Sequence, residues 1–321
     1  MKQFKTFFVK FITYIFAVLF AGSLAANAEI KVVTTIKPLH SLISNVMDGV
    51  GEPSLIIEGS TSPHSFVLKP SHAKMIEQAD IIFWIGEDIE TFMEKPLESI
   101  AKNAKKISFM ELTSIEKLKF REENIFDHDD HDDHGHGEKK DHDDHGHGHE
   151  GHHHGEFDAH IWLDPANAKE MLHEIAHELA DLDPANANKY ESNANKAIKS
   201  IDEMISSVNS SINKDAKFIV FHDAYQYFEK RFDVATAGAL TLNTDVLPGA
   251  KQISEIQEVI AEKDIKCIFS EPQFNPKIIE TIAQDTGIKT GVLDPLGSIF
   301  DGGKEQYFTL INDIGNKLKD C

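Results

Sequence analysis

Basic residues are scarce in this sequence of 321 residues. Lysine and arginine together number 32 against 53 aspartates and glutamates, and the formal net charge is -21. Nucleic-acid binding requires clustered basic side chains that neutralise phosphates, so this composition argues against nucleic acid as a partner. The acidity instead favours a protein that binds a cation.

Long apolar segments are missing after the N-terminus. The first 28 residues contain three lysines, an apolar run from Phe11 to Phe20 and small residues ending at Ala28. This pattern is typical of a secretory signal peptide, and the apolar run is too short for a transmembrane helix. We expect residues 1–28 to be removed on export, and the mature protein to be soluble and monomeric in a periplasm.

Cysteine is nearly absent, since only Cys267 and Cys321 occur. In an oxidising compartment, an even pair is typical of a single disulfide, which would tie down the C-terminus. Two free thiols are the alternative. Neither cysteine lies near the expected cleavage site, so no attachment point for a lipid is predicted.

Short apolar runs alternate with helical patterns in both halves of the chain, for example at Val32–Ile36, Ile81–Ile85 and Phe218–Phe221. This alternation predicts parallel sheets that are covered by helices on both faces. We therefore expect an α/β fold with two parallel-sheet lobes, at residues 29–183 and 214–321.

A long helix is predicted between the two lobes. Asp183 and Pro184 form a helix-start signal, and the helical pattern continues over 184–213. At 1.5 Å per residue such a helix is roughly 45 Å long. It is long enough to join the lobes as a single rigid rod.

The composition changes abruptly within residues 122–156. From Asp127 to His154 there are eleven histidines and ten acidic residues, with almost no apolar side chains. Such a segment cannot form a core, so we expect a disordered insertion that binds metal weakly. Its histidines are the expected accessory metal ligands: His128, His131, His134, His136, His142, His145, His147, His149, His152, His153 and His154.

Four residues outside that tract follow predicted strands or lie in turns. They are His64 in a polar turn, His160 in D-A-H-I-W, His222 directly after an apolar run, and Asp294 before Pro295. Ligands of parallel α/β folds collect at the carboxyl ends of strands, which makes these positions plausible for a site. Taken singly, each has an ordinary structural alternative as a loop, core-edge or turn residue.

The motifs around these residues resemble the zinc-binding receptors of high-affinity zinc ABC importers. They are G-S-T-S-P-H-S-F, D-A-H-I-W-L-D-P, F-H-D-A-Y-Q-Y-F and L-D-P-L-G, in this order along essentially the whole mature chain. The resemblance implies a non-enzymatic periplasmic solute-binding protein that captures zinc(II) between two lobes and delivers it to a membrane permease.

The resemblance also implies a ligand set of His64, His160 and His222, with Asp294 or water in the fourth position. Some family members have a glutamate directly before the first histidine, whereas this chain has Pro63. Three neutral imidazoles with at most one oxygen ligand suit tetrahedral zinc better than manganese, although copper and nickel would also fit.

A different motif, His173-Glu174-Ile175-Ala176-His177, matches the H-E-x-x-H signature of zinc metalloproteases. The apolar stripe of its helix places both histidines on the opposite, solvent side, which argues against a catalytic site. A secreted metalloprotease and a zinc buffer that works through the histidine tract are the alternative functions.

Overall fold

The structure is a computed structural model that describes residues 30–126, 155–242, 244 and 248–321. In this part of the chain, eight strands form two separate four-stranded parallel sheets. The strands are β1 Val32–Thr34, β2 Ser54–Leu55, β3 Ile81–Trp84, β4 Lys105–Ser108, β5 Phe218–His222, β6 Ala239–Thr241, β7 Cys267–Ser270 and β8 Lys289–Val292. The two-lobed α/β fold predicted from the sequence is confirmed.

Helices cover these sheets and connect their strands. They are α1 Lys37–Val46, α2 Pro70–Glu77, α3 Glu94–Ser99, α4 Pro165–Leu182, α5 Ala187–Ser211, α6 Gln226–Phe232, α7 Ala250–Glu262, α8 Lys277–Thr286 and α9 Gln306–Lys317. None of the described helices is long and apolar enough to cross a membrane. The predicted signal peptide and the tract histidines lie outside the described residues.

Both sheets have the same strand order. It is β2-β1-β3-β4 in the first sheet and β6-β5-β7-β8 in the second, so the first strand of each lobe lies between the second and the third. In each sheet the chain proceeds from the first strand to one side and then crosses to the other side. The strand order therefore reverses between β1 and β3 and between β5 and β7. Crevices at the carboxyl ends of the strands at such a reversal are where ligands of open α/β sheets bind.

The long helix α5 connects the two lobes. It begins at Ala187 rather than at the predicted 184, and its 25 residues correspond to about 37 Å. Its buried residues recur every three or four positions, as expected for a helix with one face packed against the protein. From that face the Asn193 amide donates to the carbonyl oxygens of Val46 and Asp48, which fixes the helix to the end of α1.

The C-terminal helix α9 returns to the first lobe and packs against α1 and α5. Polar contacts accompany this packing. Lys37 Nζ donates to the carbonyl oxygens of Ser298 and Phe300, and Ser41 Oγ donates to that of Lys304. The two lobes are therefore joined by buried contacts as well as by α5.

Residues 124–126 add a short antiparallel segment beside β6. The Phe126 amide donates to the Ala237 carbonyl oxygen, and the Ala239 amide donates to that of Asn124. Gly238 permits this approach, because a Cβ there would lie 2.5 Å from the Asn124 oxygen. Residues 124–126, at the start of the segment expected as an insertion, therefore lie against the second lobe.

Candidate metal centre

Three histidines from distant parts of the sequence converge at the carboxyl ends of the strands. His64 lies in a single 3-10 turn after β2, His160 directly precedes another such turn at Ile161–Leu163, and His222 is the last residue of β5. One nitrogen of each imidazole lies within 4.8 Å of the others. Among the described residues, this is the one group of three metal-binding side chains that lie so close together.

The separation of two of these nitrogens fits a metal ion. The Nε2 atoms of His160 and His222 are 3.3 Å apart. Two nitrogens bound to zinc at about 2.0 to 2.1 Å with a tetrahedral angle lie about 3.3 to 3.4 Å apart. The pair is therefore spaced as two ligands of one zinc ion would be.

His160 is oriented by the buried carboxylate of Asp158, two residues earlier. Asp158 Oδ1 lies 2.6 Å from His160 Nδ1 and also accepts the His160 backbone amide at 2.9 Å. The other carboxylate oxygen accepts from Gln226 Nε2 at 2.7 Å. With Nδ1 engaged by a carboxylate, Nε2 is the nitrogen directed to the metal position.

Glu271 does the same for His222. It follows β7, the neighbour of β5 at the reversal of strand order, and its Oε1 lies 2.7 Å from His222 Nδ1. Burial opposes protonation of this imidazole, but the carboxylate outweighs burial, so the pKa of His222 is raised. Sequence reasoning missed Asp158 and Glu271 as partners of the histidines.

His64 is held differently, in a polar turn at the surface of the cavity. Its backbone amide donates to Ser62 Oγ at 3.3 Å, which caps the turn. His64 is half-buried, whereas His160 and His222 are each 4% exposed. The centre therefore has two deeply buried imidazoles and one on its more accessible side.

The cavity beside the three imidazoles is small, with a volume of about 10 Å³. That is the space for about one water-sized occupant. Its wall also contains Trp162, Gln273 and Leu296, among other residues. Such a space suits a single metal ion between the three imidazoles.

Asp294, the other residue expected at this site, does not join the group. It is buried, and its carboxylate accepts five hydrogen bonds, from Gln273 Nε2, from Ser298 Oγ and from three backbone amides. It follows β8 at the same edge of the sheet as predicted, but its oxygens are engaged by the surrounding loop.

The remaining histidines of the described chain serve other purposes. His40 Nε2 bonds the Pro53 carbonyl oxygen, and His72 Nδ1 accepts the Lys69 amide, so both are bonded within the fold. His173 and His177 are exposed on α4, as the helical periodicity predicts. Cys267 and Cys321 form the predicted disulfide.

Two α/β lobes with a three-histidine centre at the carboxyl ends of their strands define a metal-binding protein of the solute-receptor type. The match to known proteins is more specific. The model of the family described as the periplasmic component A of zinc-uptake complexes matches residues 32–321, and the chain belongs to this family.

Similarity to individual relatives extends over nearly the whole chain. The high-affinity zinc uptake system protein ZnuA of Brucella abortus is 44% identical over 315 residues, covering 94% of each chain. ZnuA of Yersinia pestis is 33% identical, covering 95% of this chain and 96% of the relative. A crystal structure of ZnuA superposes with a TM-score of 0.72 at 20% identity, covering 91% and 98% of the two chains, and supports the fold.

Proposed function

We propose that this protein is the periplasmic receptor of an ABC importer and that it captures zinc(II) through His64, His160 and His222. The main support for this proposal is the convergence of three imidazoles, with the Nε2 atoms of two of them 3.3 Å apart. The carboxylate partners of His160 and His222 set their tautomers for metal binding.

Water is the fourth ligand in this proposal. Pro63 offers no side-chain donor, and the Asp294 oxygens are engaged by five hydrogen bonds. The cavity is partly open, so a water molecule can reach an ion that is bound by the three imidazoles. Zinc with three imidazoles and one water is a common tetrahedral arrangement.

The cargo would then pass to a membrane permease of the importer. In keeping with this role, we propose that residues 1–28 are cleaved as a signal peptide and that the mature receptor acts as a periplasmic monomer. The eleven tract histidines would bind further zinc weakly and keep it near the receptor. Deleting 127–154 tests the last point, since unchanged zinc stoichiometry and unchanged zinc-limited growth would disprove it.

The alternative of a metalloprotease gains no support. His173 and His177 are exposed on α4, and among the described residues no third metal-binding side chain joins them. The family is one of transport components.

The decisive experiment measures zinc retention against a competing high-affinity chelator, so that the weak tract sites do not contribute. We expect His64→Ala, His160→Ala and His222→Ala each to lose the tight site, while His173→Ala retains it as the matched control. Retention of tight zinc binding by His160→Ala and His222→Ala would refute the proposed centre. Under zinc limitation, cells with any of the three histidine variants should grow poorly, and cells with His173→Ala should grow like the wild type.

A further inference from the structure

The side-chain amide of Gln273 has a fixed orientation beside the metal cavity. Its Nε2 donates to Asp294 Oδ1 at 2.8 Å and lies 3.4 Å from Ser298 Oγ. A carboxylate oxygen accepts hydrogen bonds only, so the amide nitrogen and not the amide oxygen must face Asp294. Asp294 thereby determines which end of the Gln273 amide points elsewhere.

The other end of that amide, Oε1, is buried and has no hydrogen-bond partner within the described chain. Gln273 lines the cavity beside the three histidines, whereas Asp294 does not. A buried acceptor without a donor costs free energy unless a ligand supplies one. Glu271 Oε2 is a second buried acceptor without a partner on a residue that lines the cavity, but its carboxylate is already hydrogen-bonded to His222 through Oε1. Gln273 Oε1 is the neutral acceptor available to a donor bound there.

We propose that Gln273 positions the fourth zinc ligand, by accepting a hydrogen bond from metal-bound water at Oε1. Asp294 acts only through Gln273, as the residue that holds the amide in the required orientation. This inference rests on the proposed zinc-receptor function. Asp294, which was expected at the site from the sequence, then has an indirect role.

The consequence is a preference for a metal that keeps one water in a tetrahedral environment. The amide oxygen is neutral, so it can orient water without adding to the negative charge that Asp158 and Glu271 already place near the ion. Partners that orient the ligands of a metal typically contribute about 10- to 100-fold to its affinity. We expect removal of the Gln273 acceptor to cost about tenfold in zinc affinity.

The test compares Gln273→Leu, Asp294→Asn and the double variant in the full-length mature protein. The control is Gln257→Leu, because Gln257 Nε2 likewise donates to a carboxylate, Asp285, at 3.1 Å, but on the exposed surface. Zinc affinity is measured by chelator competition. Unfolding of the metal-free forms shows whether a variant is folded, and Asp294 keeps its donors from Ser298 and Leu296 in Gln273→Leu.

We expect Gln273→Leu and Asp294→Asn to lose affinity by a similar factor, with no further loss in the double variant, because one acts through the other. With less than one equivalent of Co²⁺ bound, the visible bands of Gln273→Leu should shift, since the fourth ligand is held differently. Gln257→Leu should match the wild type in both measurements.

Two outcomes would overturn the inference. Wild-type affinity and wild-type cobalt bands in a folded Gln273→Leu would show that Oε1 meets no ligand. A second outcome is a loss of zinc affinity in Asp294→Asn that far exceeds the loss in Gln273→Leu, with the two losses adding in the double variant. It would show that Asp294 binds the metal directly. His222→Ala separates these outcomes from failure of the proposed function. If only the inference about Gln273 is wrong, His222→Ala still loses zinc; if the proposed function is wrong, His222→Ala retains it.

Discussion

The indole Nε1 of Trp162 donates a hydrogen bond to the carbonyl oxygen of Pro295 at 2.8 Å, joining the two lobes beside the metal cavity. Both residues are buried, and Trp162 also contacts the His160 ring, with the ring centroids 5.3 Å apart. The same residue therefore packs against the proposed ligand His160 and hydrogen-bonds the second lobe.

Replacing Trp162 with phenylalanine should remove this bond and leave the Pro295 carbonyl buried without its donor. We expect a loss of about 1 kcal/mol in the free energy of unfolding and a severalfold weaker affinity for zinc. Chemical denaturation and chelator competition measure the two effects. The control is Trp84→Phe, at the other tryptophan, in β3; equal losses in both variants would contradict a specific role for the Trp162 bond.

Glu90 should make stability depend on pH. Burial raises its pKa to about 7 from an ordinary 4.5, although the Ile85 and Gly86 amides donate to its carboxylate. The folded state thus holds the proton more tightly than the unfolded state. The resulting stabilisation is complete below about pH 4.5 and is lost as the pH rises through about 7.

Glu90→Gln should remove this dependence, which amounts to roughly 3 kcal/mol between the two limits. Relative to the wild type, the variant should gain stability from pH 5 to pH 8 in urea denaturation. Glu94→Gln, on the exposed side of α3, is the control and should follow the wild-type curve. A wild-type pH slope in Glu90→Gln would assign the effect to another group.

The disulfide between Cys267 and Cys321 should contribute substantially to stability. It anchors the end of the chain to the start of β7 and closes a loop with a sequence separation of 54 residues. By loop entropy, its removal should cost about 2 to 4 kcal/mol. Denaturation with and without a reductant tests this, and a double Cys→Ser variant should be insensitive to the reductant. An unchanged wild-type midpoint after reduction would disprove the expectation.

Arg121 should be needed for stability because two buried carboxylates depend on it. Its guanidinium bonds Asp223 at 2.7 Å and Glu229 at 2.8 Å, and both side chains are at most 5% exposed. Arg121→Gln would leave these acids without their cation, at a cost of about 3 to 5 kcal/mol. Lys119→Gln is the control, since its ion pair with Glu156 is exposed and is worth at most about 1 kcal/mol.

Much of the fold could be predicted because its central strands are continuous apolar runs. The runs at Val32–Ile36, Ile81–Ile85 and Phe218–Phe221 predict β1, β3 and β5 to within a few residues. β4 was missed because its first two residues are exposed lysines, which break the apolar pattern. β6 was missed because Ala239–Thr241 has a single large apolar residue, Leu240, and therefore no apolar run.

The three histidines could be predicted from position and family resemblance, but their carboxylate partners could not be assigned. Asp158 is local to His160, yet nothing in the spacing says that its side chain turns back to Nδ1. Glu271 is 49 residues from His222, and the contact depends on β5 and β7 being neighbours. Its position directly after a buried strand was the available signal.

The volume of the cavity also constrains how the cargo arrives. A space of about 10 Å³ cannot receive an ion together with its full shell of water, so capture must include dehydration. Magnesium gives up its water reluctantly and prefers oxygen ligands, so three imidazoles would not offset the cost of its dehydration. We therefore expect the site to discriminate against abundant hard cations through the cost of their dehydration as well as through the choice of ligands.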